Sequence, residues 1–229
     1  MRQILLFTGI FTLLLASSNT TERHTNSKLN QEFKKYHIQQ IDIEKGVVRI
    51  TKVIGHDKEN MKYSLFRMIS ENQFVRENYN SDFDLVSKTY HEEKTNGSEE
   101  VKTIVYQNNE QFILNIIKPE YMTYSSDDTL FLSEYESGYL NIKTKCRYIG
   151  KSTLQFKGND VECIIYERDI HRKYSRPGEE FEETTVSQAY YGENLGVIYA
   201  EAISRRDTVK QKVIDIISID EFEKLKNNR

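Results

Sequence analysis

Two cysteines, Cys146 and Cys163, are the first residues to ask for chemistry. A bridge closing a loop of that size would contribute about 3 kcal/mol in the chain-entropy model. With turns at both Gly150 and Gly158-Asn159, however, the two residues flank Leu154 from opposite sides at roughly 9–10 Å, beyond the ~7 Å a disulfide spans. The pair is therefore either a disulfide, with Gly150 outside a tight turn, or two buried thiols. The five histidines, His24, His37, His56, His91 and His171, show no zinc-site spacing, and His91-Glu92-Glu93 lacks the second histidine of a zincin helix. Surface positions are expected for them, and neither a metal nor a cofactor is implied. There is no Gly-x-Ser-x-Gly elbow or Ser-x-x-Lys start, and the ten glycines form no phosphate-cradling loop. The acidic groups Asp82/Asp84, Asp127-Asp128 and Glu179–Glu183 suit calcium or a glycosidase pair, yet the chain has no tryptophan to platform a sugar. No catalytic residue is assigned, and the expectation is a protein that is not an enzyme. The Glu179–Glu183 run beside Arg172-Lys173 and Arg176-Pro177-Gly178 reads as a solvated hairpin loop, with partner binding as its functional alternative.

The elements that would position such groups are mostly strands. Leu29, Phe33 and Tyr36 recur at helical spacing behind Ser27, which predicts a short amphipathic N-terminal helix. After Gly46, stretches rich in Val, Ile, Thr and Tyr predict strands at 47–54, 84–92, 100–107, 111–118, 141–148, 153–156, 161–169, 182–190, 196–204 and 210–217. Residues 61–74 fit either element, and the alternation of Tyr63, Leu65, Arg67 and Ile69 favours a strand. Asn96-Gly97 and Gly158-Asn159 predict hairpin turns. Asp220 and Glu223 are placed to cap a short closing helix.

Compartment follows from the N-terminus. Met1-Arg2, an apolar run from Ile4 to Leu15 and the small residues Ala16-Ser17-Ser18 have the layout of a signal peptide over residues 1–18. The run is too short to span a bilayer. A polar tail over 19–26 and a single β-rich domain over 27–229 are expected to follow, exported to a periplasm or the cell exterior with no membrane span in the mature chain. With 32 basic and 35 acidic side chains in 229 residues, the charge nearly cancels, which excludes a nucleic-acid partner.

The later strands Cys163-Ile164-Ile165-Tyr166, Val197-Ile198-Tyr199-Ala200 and Val213–Ile217 are apolar on both faces, so something must cover the second face. A second sheet, the N-terminal helix or a bound apolar ligand would serve. Residues 151–204 carry an ordered pattern: Ser152–Phe156, Gly158, Cys163–Tyr166, a charged loop, then Tyr190-Tyr191-Gly192-Glu193-Asn194-Leu195-Gly196-Val197-Ile198-Tyr199. It resembles secreted or periplasmic bacterial β-rich proteins related to the lipoprotein-carrier-like half-barrels of the LolA/LolB type. That resemblance implies a curved antiparallel sheet around helices, able to hold lipid or acyl chains. The expected architecture is mainly β, a half-barrel or barrel with a short helix at each end. The expected function is non-catalytic binding of a lipid or other apolar molecule, with Ile164, Tyr166, Val197, Tyr199 and Ile216 as the ligand wall. The alternative is an envelope module with a fully packed core that docks another protein.

Overall fold

β-branched and aromatic residues dominate the chain after Gly46, and they build strands almost without interruption. The computed structural model describes residues 31–37, 40–55, 58–94, 97–107, 110–118, 121–123, 131–137, 140–176, 178–205 and 207–228. Two short helices come first, α1 (Gln31–Lys34) and α2 (Gln40–Lys45). The strands are β1 (Val47–Gly55), β2 (Lys58–Ser70), β3 (Gln73–Tyr79), β4 (Leu85–Lys94), β5 (Gly97–Gln107), β6 (Glu110–Lys118) and β7 (Tyr121–Thr123). They continue with β8 (Phe131–Ser137), β9 (Leu140–Phe156), β10 (Asn159–Arg176), β11 (Glu179–Gly192), β12 (Gly196–Ile203) and β13 (Thr208–Ser218), before α3 (Ile219–Asn227).

Neighbours in sequence are neighbours in the sheet, all antiparallel, and β1 pairs with β13 to close a 12-stranded barrel. The short β7 lies outside that ring and continues the course of β6 along β5. Closure leaves no half-barrel edge.

Side chains alternate between interior and exterior. The inner face of one barrel end receives α1, whose Phe33 and Tyr36 pack on Cys146, Ile164, Tyr166, Ala189 and Tyr191. It also receives α2, whose Ile43 packs on Phe66 and Phe74. On the outside, α3 seats Phe222 against Val48, Tyr63, Leu65 and Tyr79. The Ser27 cap and Leu29 expected for the first helix lie outside the described residues, as does the leader. The closing helix is capped by Ser218 and Glu221, which form a reciprocal capping box, and Asp220 falls inside the helix.

Several boundaries differ from those expected. The predicted strands on either side of Gly150 are one, because Gly150 (φ 146°) sits at a β-bulge and β9 runs through it. The hairpin turn expected at Gly158-Asn159 is present but falls one residue earlier, at Lys157-Gly158, with φ of 50° and 82° in a two-residue loop that suits a right-twisted hairpin. The ambiguous segment is strand β2, broken after Ser70 and resumed as β3, and β8 had no counterpart among the expected strands.

Candidate functional site

The barrel interior is polar over much of its length. Register places Arg49, Ser64, Asn78 and Ser87 in one inward-facing row across β1 to β4, and Phe66, Arg76, Thr89 and Thr103 in another across β2 to β5. On the opposite wall Cys146, Arg168 and Ser187 align, as do Ile142, Arg172 and Glu183. Arg49, Arg76, Arg168, Glu100 and Glu183 are all buried. Sheet interiors carrying this many charges are retained only where hydrogen bonds offset the desolvation.

Many of those bonds are present. Ser64 Oγ donates to Asn78 Oδ1 at 2.8 Å, and Asn78 Nδ2 donates to Ser87 Oγ at 3.0 Å. Arg76 donates to Thr89 Oγ1 at 3.4 Å, and Tyr135 OH to Glu100 at 3.3 Å. Arg168 donates to Tyr191 OH at 3.1 Å and Arg172 to Thr185 Oγ1 at 2.8 Å. Arg49 spans the helix-filled end, donating to the Leu195 and Val197 carbonyls, and its guanidinium lies over the Phe66 ring.

Other buried atoms lack such partners among the described residues: both carboxylate oxygens of Glu183, Nδ1 of His91, Oγ of Ser133 and the hydroxyl of Tyr166. They come from β11, β4, β8 and β10, and all face inward. Electrostatics follow the same geometry. Burial, reinforced by Arg49, pushes His37 down to about 3, and burial with Arg76 holds His91 well below the usual imidazole range. Burial with Arg76 also lowers the Lys62 amine to about 7.

These positions correct several expectations. His91 is 1% exposed and stacks on Phe74 at 4.6 Å, and His37 is buried against Tyr191, so neither is a surface histidine. Hairpin β10–β11 pairs without a break from Cys163–Gly192 to Arg176–Glu179, so the acidic run is strand, and Glu183 is buried instead of solvated. Cys146 and Cys163 are two buried thiols that share no disulfide. Cys146 lies opposite Arg168, five positions along β10 from Cys163, or about 16 Å at strand rise. Cys146 also faces inward while Cys163, next to inward-facing Ile164, faces outward, so no bridge forms. Burial pushes the Cys163 thiol up to about 11.

Of the wall candidates, Ile164, Tyr166 and Val197 gather in one inner cluster, and the layer covering them is α1 itself, through Phe33 and Tyr36. Ile216 faces inward opposite Arg49. Tyr199 faces outward, its ring edge-to-face with Tyr190 at 5.4 Å, and joins no common wall with the others. The second apolar face of β1 and β13, Ile217 included, is covered by α3 through Ile219 and Phe222.

The inward polar residues escaped sequence reading for local reasons. Arg76 lies in a strand that was not recognised, and Lys62 lies in the ambiguous segment. The signal was present in Tyr166, Arg168, Ile170, Arg172 and Tyr174, an alternate-residue row whose arginines share a face with buried aromatics. The exterior is also charged, with Arg147 paired to Glu167, Lys173 to Glu182 at 3.3 Å and Lys143 to Glu134 at 3.2 Å across neighbouring strands.

No protein-family profile matches the chain, and no curated protein matches it in sequence. Among solved structures, the fold is similar to that of a candidate lipoprotein from Parabacteroides distasonis ATCC 8503, with a TM-score of 0.51, 11% identity and coverage of 80% of this chain and 98% of that one. This likeness is one of fold alone. Looser similarities are to a candidate exported protein with YmcC-like fold from Bacteroides fragilis NCTC 9343 (TM-score 0.44, 10% identity, 80% and 98% coverage) and to the hypothetical lipoprotein YmcC from Escherichia coli K12 (TM-score 0.35, 13% identity, 85% and 99% coverage).

Proposed function

We propose that this chain is an exported, non-catalytic binding protein of the bacterial envelope whose barrel receives a polar guest. Export is supported by the leader-like N-terminus and by the lipoprotein name of the Parabacteroides neighbour. A lipid-facing wall would exclude the mid-strand charges of β9 to β11, so the barrel is read as standing in water. The observation that carries the guest's polarity is the set of buried polar atoms on Glu183, His91, Ser133 and Tyr166 that make no hydrogen bond among the described residues, although Glu183 faces Arg172 across the strands. Each costs about 1–3 kcal/mol unless something polar satisfies it. An acyl chain cannot do so, and the apolar inner cluster is already occupied by α1.

The test is native mass spectrometry of the exported protein, together with thermal-shift titration against neutral saccharides, amino acids, inorganic anions and palmitate. Stabilisation by a polar solute and indifference to palmitate are expected. Co-purified acyl chains, or saturable palmitate binding without any polar ligand, would return the function to lipid carriage. A second reading, docking of an envelope protein, is favoured by the exposed Ile113 and Ile117 on the outer face of β6, 59% and 47% exposed. Charged substitutions at both positions would abolish such docking while leaving solute binding intact.

A further inference from the structure

We propose that the rim segment of β11, residues 179–185, is a docking edge for an extended, basic segment of another protein, which adds to the sheet as one more strand. Closure joins β1 to β13, but strands of unequal length leave a step at one end of the ring. The β10–β11 hairpin pairs without a break from Cys163–Gly192 to Arg176–Glu179. On its other side β11 pairs with β12 only from Gly192–Gly196 to Val186–Ile203, where β12 ends and the chain turns between Ser204 and Asp207. Among the described residues no strand lies on that side of β11 from Val186 towards the hairpin tip, which leaves an edge about 20 Å long at strand rise. Backbone N–H and C=O groups along such an edge alternate in direction, and those turned away from β10 are a template for an added strand.

Side chains decide which strand fits. Glu180, Glu182 and Thr184 are exposed on the outer face of this edge, Glu183 is buried on the inner face, and residues 179–185 include no lysine or arginine. The groups that answer these carboxylates stand on β10, on the far side from a newcomer. Lys173 pairs with Glu182 at 3.3 Å, Ser175 Oγ donates to Glu180 at 3.3 Å, and Arg172 lies opposite Glu183. The hairpin is thus graded from basic on β10 to acidic on β11, and an incoming strand meets carboxylates first. Opposite charges directly across a ladder stabilise it and like charges oppose it, so lysines or arginines at alternate positions suit this edge. A second copy of β11 laid antiparallel on the segment would set its glutamates opposite one another, which disfavours self-pairing. The segment also has no proline and its register no bulge, two devices that blunt an edge against any added strand.

The probe is a capped peptide of alternating lysine and valine, about nine residues long to match the edge. Its controls are a glutamate–valine counterpart and a fully N-methylated lysine–valine analogue, which keeps the charges but donates nothing to a ladder. With the exported protein labelled with 15N, the lysine peptide should bind saturably and slow the exchange of alternate amides within 179–185, and neither control should. Reversing the edge with Glu180→Lys and Glu182→Lys together should weaken the lysine peptide at least about tenfold and admit the glutamate peptide. Absence of lysine-peptide binding, equal binding of the N-methylated analogue, protection outside 179–185, or an unchanged preference in the folded double variant would overturn the proposal. Should the variant misfold, the exchange pattern and the N-methylated control on the wild-type chain decide alone. Slowing of the same amides by raised protein concentration without peptide would assign the edge to a second copy and overturn it too. Binding of a polar solute inside the barrel should leave these amides unchanged, so the rim and the interior are tested separately.

Discussion

Replacing Phe222 with alanine should release α3 from the barrel wall. The ring is fully buried, with centroids 5.5 Å from Tyr63, 5.2 Å from Tyr79 and 5.7 Å from Phe83. It is the buried residue of α3, a helix too short to persist alone in water. Truncating a buried phenylalanine costs about 3–5 kcal/mol, and for a domain of this size each kcal/mol lowers Tm by about 2–4 °C. The expected loss is therefore about 6–15 °C, read by thermal and urea unfolding with near-ultraviolet circular dichroism. Amide exchange supplies the structural half of the test. Protection over residues 219–227 should fall first, while β9 to β11 stay protected. A loss below about 1 kcal/mol, or α3 amides still protected in the variant, would show that the helix is held by something other than this aromatic socket.

Three other outcomes follow from the same geometry. Without reductant, the exported protein should yield two alkylatable thiols after unfolding and none before; a mass change on reduction would contradict the register that separates Cys146 from Cys163. Lys62→Met should stabilise the protein at pH 6 by about 1–3 kcal/mol, discounted for the partial exposure of Lys62. The sign follows from the amine's lowered pKa: between about 7 and 10.5 the unfolded chain holds a proton that the fold lacks, so wild-type stability rises with pH there and the variant's advantage fades. Parallel pH profiles for the two proteins would contradict this. Arg147→Ala, which breaks an exposed cross-strand pair with Glu167, should leave the urea midpoint essentially unchanged; a clear drop would mean the pair does more than decorate the wall.

Strand character was legible in the sequence because β-branched and aromatic runs announce it locally. The turn around Gly158, to within one residue, and the Gly46 boundary were legible for similarly local reasons. Closure was not, because pairing of Val47 with Ser218 depends on contacts at opposite ends of the chain. Gly150 misled because a glycine with positive φ serves a bulge as well as a turn. The two-sided apolar strands correctly demanded a covering layer. Which layer answered it, α1 inside and α3 outside, required the structure. The interior charges were hidden because Arg49, Arg76 and Glu183 each look like ordinary solvent-facing strand residues until register shows which side they occupy.

The β1–β13 seam also sets the order of assembly. The first strand made is the last to find both neighbours, since its second partner directly precedes the C-terminal helix. Each hairpin can zip as it emerges, but the cylinder cannot be sealed before β13 arrives, which makes closure a slow, long-range step. A ring that still lacks β13 thus stays openable along the free edge of β1.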